Sequence, residues 1–92
     1  MEWIWKNEDK KMTKQFYKIL KNEGLKDWTI RGYDIGGAGL CIHKTKELLL
    51  AVEHYNLAFF LHEVAHAKTP GNKHNGIWAD EYTRLIEYYI SR

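Results

Sequence analysis

The chain has 92 residues, of which 45% are hydrophobic and 14% aromatic, and its formal net charge is +2. This length predicts one domain spanning residues 1–92, and the composition favours a compact folded chain over a disordered one. The small net charge gives no general argument for nucleic-acid or membrane binding, and the apolar runs are far too short to cross a bilayer. The single cysteine, Cys41, excludes an intramolecular disulfide and is typical of a reducing compartment. We therefore expect a soluble, cytoplasmic protein.

The first predicted element is an amphipathic helix from Asn7 to Asn22 or Glu23, ended by Gly24. Its apolar residues recur at helical spacing: Met12, Phe16, Ile19 and Leu20. Lysines lie along another side of it: Lys10, Lys14, Lys18 and Lys21. Such a stripe could contact nucleic-acid phosphates, although a solvated helix face is its commoner meaning.

Three strands are predicted next, because β-branched and aromatic residues replace the helical pattern after Lys26. They run from Trp28 to Tyr33, from Leu40 to His43 and from Leu48 to Val52. A turn at Gly36-Gly37-Ala38-Gly39 precedes the second strand, and polar residues 44–47 precede the third. We expect a small three-stranded antiparallel sheet.

Two helices complete the prediction, one from Tyr55 to Lys68 and one from Asn75 to Ser91. Pro70 and Gly71 separate them, and Asn75 is a suitable N-cap for the second. The residues expected in the core are Leu57, Phe60, Leu61, Val64, Ala65, Trp78, Tyr82, Leu85, Ile86 and Tyr89. The order of helix, sheet, helix and helix predicts an α+β domain.

The first of these two helices contains the motif H-E-x-x-H, at His62, Glu63 and His66. Residues four apart share a helix face, so both imidazoles can reach one cation with the carboxylate beside them. Zinc hydrolases use two such nitrogen ligands and a glutamate that accepts the proton of a metal-activated water. The alternative is a helix in which both histidines are merely surface or hydrogen-bonded residues, but two unpaired histidines among these apolar neighbours would be costly. The motif therefore predicts a zinc-dependent peptidase with Glu63 as general base.

A catalytic zinc site needs a third protein ligand and an open position. His74 is the leading candidate, because the turn after His66 is long enough to bring it back to the helix. Glu81 and Glu87, in the last helix, are the alternative metal ligands. His43 and His54 are expected to have ordinary structural or surface roles.

The residues around the motif resemble a known family. The matching segments are Gly24-Leu25, Trp28-Thr29-Ile30, Ala38-Gly39 with Cys41, Leu61-His62-Glu63-x-Ala65-His66-Ala67, and Thr69-Pro70-Gly71 followed by His74 and Trp78. Across residues 23–80 the chain resembles SprT-like metallopeptidases, which are related to the Spartan proteases. The resemblance implies a zincin-like fold, a zinc ion held by His62, His66 and His74, and cleavage of proteins bound to DNA. The chain departs from the family in having no four-cysteine zinc ribbon and in having Asn75 after the third histidine.

Three other interpretations remain open at this point. A regulatory zinc peptidase that resembles ImmA/IrrE proteins would take a carboxylate, such as Glu81, as its third ligand. A metal-stabilised binding module would keep the site without turnover. A nucleic-acid binder would use the lysine stripe and leave the histidines incidental. The expected partner is a protein or peptide substrate, with DNA as a further possibility and no membrane.

Overall fold

The computed structural model describes residues 7–33, 39–51 and 55–91, which form an α+β domain. The elements within these residues are α1 (Asn7–Asn22), β1 (Thr29–Tyr33), β2 (Gly39–Ile42), β3 (Glu47–Ala51), α2 (Leu57–Lys68) and α3 (Gly76–Tyr89). The predicted α+β class and the order of elements are confirmed, and the zincin-like fold stays a prediction. The predicted turn at Gly36 to Ala38, the strand end at Val52, and His54 lie outside the described residues. Within the described residues, no helix has the length and apolarity needed to span a membrane.

The sheet is mixed, so the prediction of an antiparallel sheet was wrong. Its strand order is β1-β3-β2, with β3 in the centre. β2 and β3 pair antiparallel, with Cys41 opposite Leu48, whereas β1 pairs with β3 in parallel, with Ile30 opposite Leu48. The apolar strand β3 takes the central position, where Leu48, Leu50 and Ala51 are fully buried. The long connection from β1 to β3 contains β2, and it is this length that lets the chain return in the same direction.

The core lies where α1, α2 and α3 meet one another and the sheet. Phe16 of α1 stacks on Phe60 of α2, with ring centroids 4.0 Å apart and planes 3° from parallel. The largest fully buried side chains are Phe16, Phe60, Leu20, Leu48, Leu50, Leu61, Leu85 and Val64. Each such side chain contributes about 1.5–3 kcal/mol through burial. Helix α2 carries three of these side chains, Phe60, Leu61 and Val64, and it contacts both other helices and the sheet.

Asparagine caps define where the last two helices begin. The Asn56 side-chain oxygen accepts a hydrogen bond from the backbone N–H of Phe59 (3.0 Å), and the Asn75 oxygen accepts one from Trp78 (3.1 Å). An N-cap residue satisfies a backbone donor that the helix itself leaves free. The predicted cap at Asn75 is confirmed, and α2 begins after Asn56 instead of at Tyr55.

A buried carboxylate ties the three helices together at one end of the molecule. Glu23, just after α1, accepts hydrogen bonds from Lys68 Nζ (3.0 Å), Arg84 Nη2 (2.6 Å) and Tyr89 OH (2.6 Å). Burial raises the pKa of Glu23, but the bonds from Tyr89, Arg84 and Lys68 outweigh it and lower the pKa to about 2. We call this group the Glu23 cluster. It fixes the end of α2 that follows the H-E-x-x-H motif.

Candidate metal centre

Helix α2 places the two motif histidines side by side, as the spacing predicts. The imidazole rings of His62 and His66 lie 4.9 Å apart between their centroids, and both side chains are half-buried. Their positions result from the amphipathic packing of α2, which turns Leu61, Val64 and Ala65 inward. One helix face therefore presents two nitrogen donors to the same space.

His74 joins them from the loop between α2 and α3. Its Nε2 atom lies 3.1 Å from His62 Nε2 and 3.1 Å from His66 Nε2. The His74 backbone has a φ of 52°, a left-handed conformation that non-glycine residues adopt at a cost of about 1–3 kcal/mol. Gly71, with a φ of 81°, and a hydrogen bond from Asn75 to Asn72 (2.7 Å) shape the same loop. The loop thus holds His74 in a strained backbone conformation, with its imidazole ring in contact with those of both motif histidines.

The three histidines fit a tetrahedral metal ion. Zinc–nitrogen bonds of about 2.0–2.1 Å place two ligand nitrogens about 3.3 Å apart in a tetrahedral site. The two 3.1 Å separations are close to that value, and all three donor atoms lie within 4.8 Å of one another. Within the described part of the chain, this is the group of donors close enough to share an ion. Three nitrogen donors suit Zn²⁺ and leave a fourth position open.

Burial keeps the motif imidazoles in the form that binds a metal. It lowers the pKa of His62 to about 4, and the neighbouring His66 and His74 lower it further in the same direction. Burial also lowers the pKa of His66, aided by His74 and opposed by a backbone hydrogen bond at Asn72. Neutral imidazole has the lone pair that a metal needs. His62 and His66 are therefore available as ligands at neutral pH.

The Glu63 carboxylate lies beside this cluster and is almost completely buried, with 4% of the residue exposed. Its Oε2 atom is 4.0 Å from His62 Nε2. Burial raises the pKa of Glu63 to about 7. Gly39 of β2 makes room for it: a Cβ atom there would stand 3.2 Å from Glu63 Oε2 and 2.5 Å from the Leu49 carbonyl oxygen. A glycine at this position lets the β2 backbone approach the carboxylate closely.

A cleft of about 350 Å³ opens between β2 and α2, with the histidines and Glu63 in its wall. Strand β2 supplies Gly39–Cys41 to the opposite wall, and Leu40 is half-exposed at 53%. A volume of this size accommodates a few side chains of a substrate. Because β2 is an edge strand, one side of the cleft is not covered by a further strand of the described sheet.

Trp78 forms an aromatic wall against all three histidines. Its ring centroid lies 4.8 Å from that of His62, 5.3 Å from His66 and 4.6 Å from His74. Its indole N–H donates to the His62 carbonyl oxygen (3.4 Å), and the Tyr82 ring stacks on it with centroids 5.1 Å apart. The sequence placed Trp78 in the core stripe and in the family resemblance, but gave no sign that it would contact every histidine. The contact of Trp78 with the histidines depends on how α2 and α3 cross, which the spacing of residues along the sequence does not predict.

The other predicted site residues lie elsewhere. Glu81 accepts a hydrogen bond from Arg84 Nε (2.8 Å), and Glu87 is exposed; neither belongs to the group of donors around His74. The lysine stripe of α1 is exposed to solvent, and its contact with nucleic acid stays a prediction: Lys10, Lys14, Lys18 and Lys21. His43, expected to have an ordinary role, lines the cleft and bonds to the backbone of His66 (2.8 Å).

No family model, curated protein sequence or solved structure matches this chain. A functional proposal therefore depends on the geometry of the histidines, Glu63 and the cleft.

Proposed function

We propose that the protein is a zinc-dependent peptidase in which His62, His66 and His74 hold the metal and Glu63 is the general base. One observation carries this proposal: three imidazole nitrogens converge beside a buried carboxylate in the wall of an open cleft. A structural zinc site is closed by four protein ligands, whereas a catalytic one keeps a position for water. A structural site would also have no use for an adjacent carboxylate with a pKa of about 7.

The chemistry divides between the metal and the carboxylate. When bound, Zn²⁺ would lower the pKa of a water molecule and polarise a substrate carbonyl. Glu63 accepts the proton of the attacking water and then delivers it to the nitrogen of the leaving amine. A pKa of about 7 suits a group that must both take and return a proton near neutral pH. The limited exposure of Glu63 keeps that proton from exchanging freely with bulk water.

The substrate class proposed is a protein or peptide segment lying in the cleft between β2 and α2. Exposed Leu40 gives the cleft an apolar rim, and β2 lies at the edge of the sheet that the described residues form. The resemblance to SprT-like metallopeptidases suggests proteins associated with DNA, and the lysine stripe of α1 is the feature of this chain that suits phosphate contacts. DNA association stays the weaker part of the proposal, because solvated lysines are common on helix surfaces.

The ImmA/IrrE-like alternative is less well supported. It needs a carboxylate as third ligand, and Glu81 is instead paired with Arg84, both through Nε (2.8 Å) and through Nη2. Arg84 in turn belongs to the Glu23 cluster. Freeing Glu81 for a metal would break an ion pair, whereas His74 already faces both motif histidines.

Metal content and turnover together test the proposal. Purified protein should contain about one zinc per chain, and it should cleave an unstructured protein or a fluorogenic peptide library. Glu63→Gln should keep the zinc and lose cleavage.

His74→Asn should lose zinc, since asparagine tolerates the left-handed backbone but supplies a poor ligand. The matched variant Glu81→Gln should keep the zinc. Zinc binding without any cleavage would favour a binding module, and a protein that cannot take up zinc would overturn the proposal.

A further inference from the structure

The backbone carbonyl of His66, one of the proposed ligand residues, is among the last four of α2, which a helix leaves without an i+4 donor. The carbonyl oxygen of residue 66 would normally accept the N–H of residue 70, four positions on. That residue is Pro70, which has no N–H. The backbone N–H of Thr69 reaches the His66 oxygen only at 3.3 Å. The carbonyl of a ligand residue is therefore left without its ordinary helical partner.

His43 supplies the missing donor from the other wall of the cleft. Its Nε2 atom lies 2.8 Å from the His66 carbonyl oxygen. A carbonyl oxygen can only accept, so Nε2 carries the proton and donates it. This contact joins the turn after β2 to the metal-proximal end of α2, two elements that are 23 residues apart along the chain. It is shorter than the Thr69 contact by half an ångström, and is thus the stronger of the two.

The imidazole of His43 is itself held in place. Trp28 meets it edge-on, with ring centroids 5.7 Å apart and planes at 89°. The Cys41 sulfur lies 3.9 Å from Nε2 and 4.0 Å from Nδ1. The turn that carries His43 closes through a hydrogen bond from the Lys46 N–H to the His43 carbonyl (3.3 Å). The ring is exposed to solvent on one side and lies against the indole and the thiol on the other, so these contacts restrict the directions in which Nε2 can point.

We infer that His43 is a positioning residue for the metal centre, acting through the His66 carbonyl and not as a ligand. This inference rests on the proposed function, because it concerns the ligand role of His66. The hydrogen bond fixes the peptide group of His66 and, with it, the direction in which the His66 side chain leaves the helix. Groups that hydrogen-bond a ligating side chain change metal affinity about 10–100-fold when they are removed, and for a partner of the ligand's backbone we expect the lower end of that range, about 10-fold.

The test compares two amides at position 43 in the full-length protein. A glutamine amide can place its nitrogen where Nε2 of histidine lies, whereas an asparagine amide reaches only the position of Nδ1. His43→Asn should therefore weaken zinc binding about 10-fold, and His43→Gln should restore most of the affinity. Zinc affinity is measured at neutral pH by competition with a chromophoric chelator. The visible spectrum of the cobalt-substituted protein gives a second readout of ligand geometry.

Thr69→Val is the matched control for general weakening of the same helix end. The Thr69 hydroxyl donates to the Ala65 carbonyl (2.7 Å), the neighbouring acceptor on the same turn. Its loss should destabilise the fold without changing zinc affinity beyond a few-fold. Far-UV circular dichroism of each metal-free variant establishes that α2 is still formed.

The outcomes are distinguishable. Wild-type affinity in His43→Asn would overturn the inference and leave the metal centre intact. Equal losses in the asparagine and glutamine variants would overturn the donor role, and a loss in Thr69→Val matching that in His43→Asn would overturn any specific role. A wild-type protein that binds no zinc would overturn both this inference and the proposed function.

Discussion

At the scale of single residues, burial acts oppositely on the acid and the bases of the site. Loss of solvent disfavours a charged form, so it raises the pKa of Glu63 to about 7 and lowers that of His62 to about 4. At neutral pH the imidazole proposed as a ligand is uncharged, and the carboxylate proposed as the base is close to its midpoint. The same burial means that ionised Glu63 destabilises the fold, because its charged carboxylate in the cleft wall has lost its solvation.

Glu63→Gln should therefore stabilise the metal-free protein in a pH-dependent way. The folded pKa of about 7 lies above the ordinary 4.5, so protonated Glu63 supports folding fully below pH 4.5. That contribution is lost as pH rises through about 7. In urea unfolding, the variant and the wild type should have the same free energy of unfolding below pH 4.5. Well above pH 7, the variant should be more stable by about 3 kcal/mol.

A matched control for this comparison is Glu87→Gln, whose carboxylate is exposed on α3. It should differ from wild type by no more than about 0.5 kcal/mol across the range. If the Glu63→Gln difference were independent of pH, the carboxylate would be solvated in the folded protein and the buried-base interpretation would fail.

The sequence predicted the local part of the site and left the rest open, for a physical reason. The spacing of His62, Glu63 and His66 fixes their common face because a helix has a fixed period. His74 was the leading candidate for the third ligand, but its approach to the motif depends on a left-handed backbone, which no side-chain pattern specifies. Sequence spacing also could not exclude Glu81, because its partner Arg84 is oriented by a carboxylate that belongs to a different helix end.

At the scale of elements, the Glu23 cluster determines how α1, α2 and α3 meet. Its donors are 45 to 66 residues away from Glu23 along the chain. Helix boundaries could be predicted because caps and periodicity are local, whereas this convergence could not. The mixed sheet could not be predicted for the same reason, because the pairing of strands is not a local property. The residue patterns identify β1, β2 and β3, but the order of the strands follows from packing the most apolar one at the centre.

Glu23→Gln should destabilise the protein by about 2 kcal/mol, because charge-assisted bonds from Lys68 and Arg84 lose their acceptor charge. The depressed pKa sets the pH window. Stability from Glu23 is fully present above the unfolded pKa of 4.5 and is lost as pH falls through about 2. Thermal or urea unfolding at neutral and acidic pH measures this difference.

Glu81→Gln is the control for the Glu23 variant, since Glu81 shares Arg84 but has a more exposed side chain, at 21%. A pair of this kind contributes less than about 1 kcal/mol. Equal effects of the two substitutions would show that Arg84 alone matters and that Glu23 does not join the three helices.

At the scale of the whole molecule, the proposed metal closes the structure across the loop between α2 and α3. The described chain is compact, with a Cα radius of gyration of 12.4 Å. A domain of this size buries a small hydrophobic core and is therefore only marginally stable. The strained backbone at His74 and the three facing imidazoles oppose folding in the absence of an ion. A ligand that binds only the folded state would offset these costs by mass action.

Zinc at about 100 times its dissociation constant should stabilise the domain by about 2.7 kcal/mol. For a chain of this length, that raises the melting temperature by about 10–20 °C. His74→Asn should remove most of the rise while leaving the metal-free melting temperature within a few degrees of wild type, since asparagine accepts the φ of 52°. Glu81→Gln should keep the full rise. Scanning calorimetry with zinc and with chelator measures each value, and an undiminished rise in His74→Asn would remove His74 from the ligand set.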